Sequence, residues 1–405
     1  MIQPGETIHC SSGQSWVISH LIGSGKCCDV YAADIQGSEE AKTAIKFYKE
    51  GQRYDCACRR EKSLLNVVFQ EQGPVAQLVQ AKDHGVWHGR PYLVQELLSL
   101  SLCQLRVKTG EEGLTVWLCQ KLVRDTLRAL LRIHRSGFVH ADLKPSNLMW
   151  SGADGCLKLI DFGLSFHVED QDVGRVQSPG YEAPEAVTWN SGATCRTKLS
   201  SHIDMWSMGC LLLWMLTGKK LPQIEECGQS CVNCKTVDNK EKCKYGAIAC
   251  EMIGKILSGK QHGTREAMDL ITGLLKCIPG QRLSCEQALQ LPFFSVVFEP
   301  TFKDLLVLPT CIVRLVNTVD RGDLQDVEVL KEIKTDIEAE CSLFGMVESC
   351  VIPTEGAGVE KVFVKYRNAD HAEKAFEKLN GRMFNDRTVI TTFFCTEAFQ
   401  NQQYF

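Results

Sequence analysis

The chain has 405 residues, with 45 Lys and Arg against 49 Asp and Glu, for a net charge of −4. Apolar residues at 44% and charged residues at 23% are ordinary globular proportions, which exclude wholesale disorder and collagen-like repeats. At about 150 residues per domain the length suits two or three domains, and the mildly acidic balance argues against a protein built mainly to grip nucleic-acid backbone. No apolar stretch near Met1 resembles a signal peptide, and the longest apolar run, 205–216, falls short of the roughly 20 residues a membrane helix requires. A soluble, intracellular chain is expected, in which most of the 21 cysteines are reduced core residues.

Up to about residue 100 the pattern favours strands, at 15–22, 30–34, 43–48, 86–88 and 92–97, interrupted by a helix-like stretch at 56–68. Helices dominate afterwards. Residues 116–134 carry apolar side chains at helical spacing, and 203–216 is apolar nearly all round, as a buried helix would be. Gly23-Ser24-Gly25 follows the first strand. Such a turn lets backbone N–H groups approach a phosphate, although a plain hairpin uses the same residues, and Cys28 stands where a third glycine is common. Lys46 lies in an apolar strand, where a lysine either points to solvent or meets phosphates with Glu61 as its ion-pair partner.

The decisive run is His140-Ala141-Asp142-Leu143-Lys144-Pro145-Ser146-Asn147, then Asp161-Phe162-Gly163, then Ala183-Pro184-Glu185. Asp142 is suited to accept a proton from a substrate hydroxyl and Lys144 to stabilise a transferring phosphoryl group. Asn147 and Asp161 offer hard oxygen ligands for Mg²⁺. Five spaced elements in this order resemble a eukaryotic protein kinase over residues 15–296, with an N-lobe at 15–98 and a C-lobe at 99–296. The lysine of the catalytic loop resembles the serine/threonine form. The resemblance implies an ATP cleft formed by Ile22, Gly23, Gly25, Val30, Ala44 and Lys46, with Gln95 at the gatekeeper and Glu96 and Leu98 at the hinge. It implies a substrate segment containing Ser178 and Glu182, a bracing role for Asp204, and a pairing of Arg282 with Glu185. Family members usually carry arginine at Ala141, where it reads a phosphate on the activation segment, and residues 164–182 contain no threonine. Activity without activating phosphorylation is therefore expected.

Cys227, Cys231, Cys234 and Cys243 are close enough in sequence to bind Zn²⁺, but no second Cys-x-x-Cys pairs with Cys231 and Cys234, and the Gly, Asn, Lys and Asp around them favour a solvated insertion. Residues 297–310 read as a linker, with Pro300 and Pro309 and no helical cap pattern.

The module at 311–398 is acidic: residues 311–405 hold 11 Lys and Arg against 16 Asp and Glu. Strands at 311–319, 347–352, 359–366 and 388–394 and helices at 326–344 and 369–379 give a βαββαβ order that matches the ferredoxin-like RNA-recognition motif. The whole chain is thus expected to be α+β, a two-lobed kinase fold followed by this sandwich. RNA binding by the motif uses aromatic side chains on the central strands, and here those positions hold Arg314, Lys361 and Phe363. Glu332, Asp336 and Glu340 line one face of the first helix, which suits either solvent or a basic ligand. With Arg382-Met383-Phe384 before the last strand, the module resembles the UHM variant of the motif. That resemblance implies a ligand tryptophan stacked on Phe384 and framed by Arg382, with ligand Lys or Arg drawn to Glu332, Asp336 and Glu340. Kinase and UHM together resemble the UHM kinase family. Membership implies proline-directed phosphorylation, splicing-factor partners bearing tryptophan-containing basic motifs, a stathmin-like substrate, links to the cell cycle and a nuclear, partly cytoplasmic, location. A monomer is expected.

Overall fold

The computed structural model describes residues 2–10, 13–37, 42–170, 173–192, 198–222, 244–257 and 263–405. They fall into two compact units, one of Met1–Cys103, Glu111–Met149 and Leu157–Phe298, the other of Gln104–Gly110, Trp150–Cys156 and Glu299–Phe405.

The first unit opens with an antiparallel sheet in the order Thr7–His9, Ser15–Ser24, Cys28–Ile35, Lys42–Tyr48, Arg90–Glu96, Ala81–Trp87. The short first strand, pairing Ile8 with Trp16, was not legible from alternation, because three residues carry too little of a period-two pattern. Side chains of one face, including Ile8, Trp16, Ile18, Tyr31, Ile45, Phe47 and Val94, form a closed core. Between strands runs the helix Gln52–Gln72, four residues longer at each end than its apolar pattern indicates. Its buried face, Cys58, Glu61, Leu64, Leu65 and Val68, has helical spacing and carries one carboxylate inward.

Helices follow. Val116–Arg135 begins at Thr115, whose side chain accepts from the Leu118 N–H at 3.2 Å, and ends with Arg132, His134 and Arg135, cations suited to the negative end of the helix dipole. His202–Thr217 is buried all round from Ile203 to Thr217 and stops at Gly218, whose φ of 70° continues the chain in the left-handed region. Gly209 within it is required by packing: a Cβ there would lie 2.8 Å from the Leu275 side chain.

The second unit contains a four-stranded antiparallel sheet in the order Val347–Val351, Lys361–Tyr366, Ile312–Val316, Ile390–Phe393. The strands alternate faces. Val313, Leu315, Val362, Val364 and Tyr366 pack under the helices Val327–Ser342 and Ala369–Leu379. Asp326 caps the first of these by accepting from the N–H groups of Glu328 and Val329. Its buried stripe is shorter than the apolar spacing implies: Ile333, Ile337 and Cys341 are buried, whereas Val327 in the first turn is 76% exposed.

Two further corrections concern the flanks. Residues 297–310 are not a bare linker. Thr301 and Asp304 form a reciprocal capping box at the head of the helix Phe302–Val307, and Leu305, Val307 and Leu308 are buried. The Thr-x-x-Asp pattern that signals it is a shorter-armed version of the usual Thr-x-x-Glu. Beyond the last strand, a helix at Thr396–Gln400 and the residues after it fold onto the sheet face opposite the two long helices.

Candidate functional site

Lys46 is 5% exposed, so it does not point to solvent. It sits in a central strand opposite Val30 and Leu93, and its Nζ donates to Glu61 Oε2 at 2.7 Å and Asp161 Oδ1 at 2.8 Å. The two carboxylates outweigh burial and hold the Lys46 ammonium well above its usual pKa. Burial pushes the Asp161 carboxyl up, but the charge and hydrogen bond of Lys46 prevail and lower it. Asp161 itself adopts φ 62°, a left-handed conformation that Asp tolerates better than most residues. Glu61 is fully buried and also accepts from Tyr48 Oη at 2.5 Å and Gln95 Nε2 at 2.9 Å. Tyr48 was not singled out from the sequence, and Gln95 acquires a second task, fixing the glutamate that fixes the lysine.

Gly23 pairs with Val30 and Ser24 with Asp29, so the glycine turn is a hairpin whose tip lies over Gly25–Cys27. Lys49 Nζ donates to the Gly25 carbonyl at 2.6 Å, and Ser24 Oγ to Asp29 at 2.7 Å. Burial pushes the Cys28 thiol up to about 11, so it stays neutral. Ile22 is half exposed beside this turn, while Ala44 lies opposite Gln95 in the sheet. Glu96 takes both arms of its carboxylate to Lys158, at 2.8 and 2.9 Å, and accepts the Gln80 N–H at 2.8 Å. Lys158 is fully buried; its signal in the sequence was a lone lysine in the strand Cys156–Leu159, just before Asp161. Leu98 is buried.

Asp142 gathers the second cluster. Its Oδ2 accepts from Lys144 Nζ at 2.6 Å and Asn147 Nδ2 at 3.1 Å, and its Oδ1 accepts from Ser178 Oγ at 2.6 Å. Lys144 Nζ also reaches Ser178 Oγ at 3.0 Å. Asp204, fully buried, accepts the N–H groups of His140 and Ala141 at 2.8 and 2.9 Å and the His134 imidazole at 2.9 Å. One carboxylate thereby fixes the backbone two residues before Asp142, including Ala141 at φ 63°. Glu185 and Arg282 form a two-pronged pair at 2.5 and 2.7 Å, with the guanidinium stacked 5.1 Å from the Trp206 ring. Glu182 accepts from Asn190 Nδ2 at 3.2 Å.

Two oxygen donors suit Mg²⁺. The Asn147 amide nitrogen is committed to Asp142, which leaves its carbonyl oxygen, and the Asp161 side chain is 41% exposed beyond its contact with Lys46. Among the described residues no group of three or more His, Cys, Asp or Glu is placed to hold a metal ion. Cys227, Cys231, Cys234 and Cys243 lie outside the described residues.

The C-terminal unit has its own cavity, about 540 Å³, walled by Asp336, Ile337, Glu340, Leu379, Arg382 and Phe384 among others. Arg382 pairs with Glu340 across it and stacks 5.4 Å from the Phe344 ring. Met383 and Phe384 pair with Thr388 and Arg387 in a two-residue hairpin whose turn, Asn385 and Asp386, has φ of 47° and 59°. Arg387 ties that hairpin to Asp320 and Asp323 at 2.6 and 2.8 Å. Glu332 is exposed on the same helix and is not a wall residue. Thr318 lines the cavity, and its buried hydroxyl has no hydrogen-bond partner.

The opposite sheet face is closed. Phe363 is fully buried, with the Phe394 ring at 4.7 Å and the Tyr404 ring at 4.9 Å. Arg314 donates to Thr392 Oγ1 at 3.0 Å and to the Phe405 carbonyl at 2.7 Å.

A lysine held between two carboxylates, a catalytic-loop aspartate with its lysine and asparagine, and a buried aspartate beneath them are the parts of a protein kinase. Comparison agrees: a protein kinase domain matches residues 16–294 and an RNA recognition motif matches 334–390. The serine/threonine-protein kinase Kist of Mus musculus, like that of Homo sapiens, is 34% identical over 96% of this chain and 93% of its own length. The mitogen-activated protein kinase mpkC of Aspergillus niger is 32% identical over 52% of this chain and 54% of its own. The chain belongs to the protein kinase family and, within it, to the Kist (UHM kinase) group: it is a serine/threonine kinase with a C-terminal RNA-recognition-motif module.

Proposed function

We propose that the kinase phosphorylates serine or threonine, preferably before proline, in splicing factors and stathmin-like proteins, and that its C-terminal module holds partners by a tryptophan in a basic segment. The observation that carries the second part is the cavity of about 540 Å³ spanned by the Arg382–Glu340 pair and walled by Phe384. An apolar slot of that size beside Asp336 and Glu340 suits one aromatic anchor flanked by cations. The same module offers RNA little. Phe363 lies under Tyr404 and Phe394, so no base can stack on it while those rings are in place.

In the catalytic cleft, ATP is the donor of the γ-phosphoryl group, and Asn147 and Asp161 would hold Mg²⁺, which would offset the phosphate charge. Lys46, fixed by Glu61, positions the phosphates. Asp142 accepts the proton of the substrate hydroxyl at its carboxylate, near the place Ser178 Oγ now occupies, and Lys144 stabilises charge on the transferring group. Gly23 and Gly25 let the hairpin backbone close over the phosphates, and Glu96 and Leu98 present backbone groups to adenine. A nuclear location follows from the splicing partners.

Two experiments test this reading. Titrating the full chain with a basic tryptophan peptide and, separately, with short RNAs should give binding to the peptide and not to RNA; RNA binding with no peptide binding would overturn it. Mapping phosphosites in a splicing-factor extract treated with active or Asp142→Asn enzyme should give Ser-Pro sites with the active enzyme only.

A further inference from the structure

Ala141 leaves the activation segment of this kinase without the arginine that reads an activating phosphate elsewhere in the family, and its described residues offer no evident phosphate acceptor. Ala141 supplies no guanidinium, and residues 164–182 offer three hydroxyls. Ser165 is 1% exposed and donates to the Phe162 carbonyl at 2.7 Å; Tyr181 is 5% exposed; Ser178 is engaged by Asp142 and Lys144. Something else must hold the segment in its working shape.

Two amide side chains do so. Gln177, 4% exposed, donates from Nε2 to the Ile203 carbonyl at 2.8 Å and to Ser207 Oγ at 2.7 Å. Its Oε1 accepts the Ala183 N–H at 2.8 Å. Its own N–H reaches the Ala141 carbonyl at 2.6 Å, and Ser207 Oγ passes its proton on to the Tyr181 carbonyl at 2.7 Å. Gln177 thus closes the loop 177–183 on itself and straps it to the helix His202–Thr217, the helix whose Asp204 holds His140 and Ala141. Asn190 makes a second clasp. Its Oδ1 accepts the Val176 N–H at 3.0 Å while its Nδ2 donates to the Val176 carbonyl at 2.8 Å and to Glu182 at 3.2 Å. Gln177 adopts φ 61°, a conformation that a residue other than glycine keeps only when its surroundings over-determine it. Ser178, the next residue, is thereby set against Asp142.

We infer that Gln177 and Asn190 are positioning residues of the substrate segment, two neutral amides standing in for the arginine–phosphate pair used elsewhere in the family, so that folding alone sets the segment. Neither touches the reacting atoms. The inference rests on the proposed role of Asp142 as proton acceptor.

The test uses full-length enzyme made in bacteria and shown phosphate-free by intact mass. Wild type should phosphorylate a Ser-Pro peptide at once, with no gain after treatment by other kinases. Gln177→Met keeps the volume and removes all three side-chain bonds; kcat/KM for peptide should fall about thirtyfold or more. The KM for ATP and the ATP-induced rise in melting temperature should stay at wild-type values, a split that general unfolding would not produce. Asn190→Ala, on a half-buried position, should fall about fivefold in kcat/KM for peptide and serves where the first variant is poorly folded. Wild type that is inert until phosphorylated, Gln177→Met and Asn190→Ala that both match wild type on peptide, or a KM for ATP that rises in step would each overturn the inference. Wild type that is inert even after such treatment would instead contradict the reading of the catalytic cleft.

Discussion

Glu61→Gln probes the charge arrangement of the cleft with almost no change of volume. The carboxylate is fully buried and takes three donors, Lys46 at 2.7 Å, Tyr48 at 2.5 Å and Gln95 at 2.9 Å. A glutamine has one oxygen for the two donors that share Oε2, while its NH₂ group meets Gln95, which can turn its own amide to accept. The loss is therefore the charge-assisted bond to Lys46, about 1.5–3 kcal/mol. Removing one partner of a buried ion pair costs about 3–5 kcal/mol when the other is left alone. Here Lys46 keeps Asp161 at 2.8 Å, so the lower range applies and the net cost is about 1.5–3 kcal/mol. At about 2–4 °C per kcal/mol for a domain of this size, the kinase transition should melt about 3–12 °C lower. Activity should suffer more than stability, because Lys46 is drawn onto Asp161 and away from the phosphates; a drop of about a hundredfold in kcat is expected. Thermal melts and initial rates at pH 7 measure both. A variant that melts with wild type and retains wild-type kcat would show that Asp161 alone positions Lys46, and the reasoning would fail.

Three further outcomes follow from the same structure. Asp142→Asn should lose at least about a thousandfold in kcat while still binding ATP, since the amide cannot accept the proton; retained turnover would move the base elsewhere. His134 should make stability pH-dependent. Burial opposes its charge, but the Cys285 sulfur and the Asp204 hydrogen bond prevail and push its pKa up to about 10. A pKa raised above the unfolded value near 6.5 means the stabilisation is whole below about pH 6.5 and drains away toward pH 10. The melting-temperature gap between wild type and His134→Gln should narrow over that window, and a constant gap would contradict the assignment. Thr318→Val should stabilise the chain by about 1 kcal/mol in denaturant unfolding, because it replaces a buried hydroxyl that lacks a partner with a methyl group; destabilisation of the same size would reveal a hidden acceptor.

What could be read in advance divides by range. Lys46, Asp142, Asn147 and Asp161 are legible because their chemistry fixes both residue type and spacing, so the motif speaks for the fold. The helix Ala369–Leu379 is legible because Asn368 caps it and its apolar stripe is regular. Gln177, Tyr48 and Lys158 are not, because each is a lone polar residue whose meaning comes from a partner 13 positions away for Tyr48–Glu61 and 62 for Lys158–Glu96, or from a helix met later in the chain, as for Gln177 and Ser207. The closing of the sheet face by Phe394, Tyr404 and Phe405 was missed for a related reason. An aromatic-rich stretch without periodicity says that it will be buried but not against what. Arg314 shows the consequence: absent from the stacking set by sequence, it proves to be an anchor for the Phe405 carbonyl.

The proposed capture of substrate by the C-terminal module has one direct test. The direct measurement compares phosphorylation of two substrates, one carrying a tryptophan in a basic segment and one without it, by wild type and Phe384→Ala at substrate concentrations well below KM. Tethering raises the local substrate concentration into the millimolar range, so the first substrate should slow by about tenfold or more in the variant while the second is unchanged. Equal rates for wild type and variant on both substrates would contradict it.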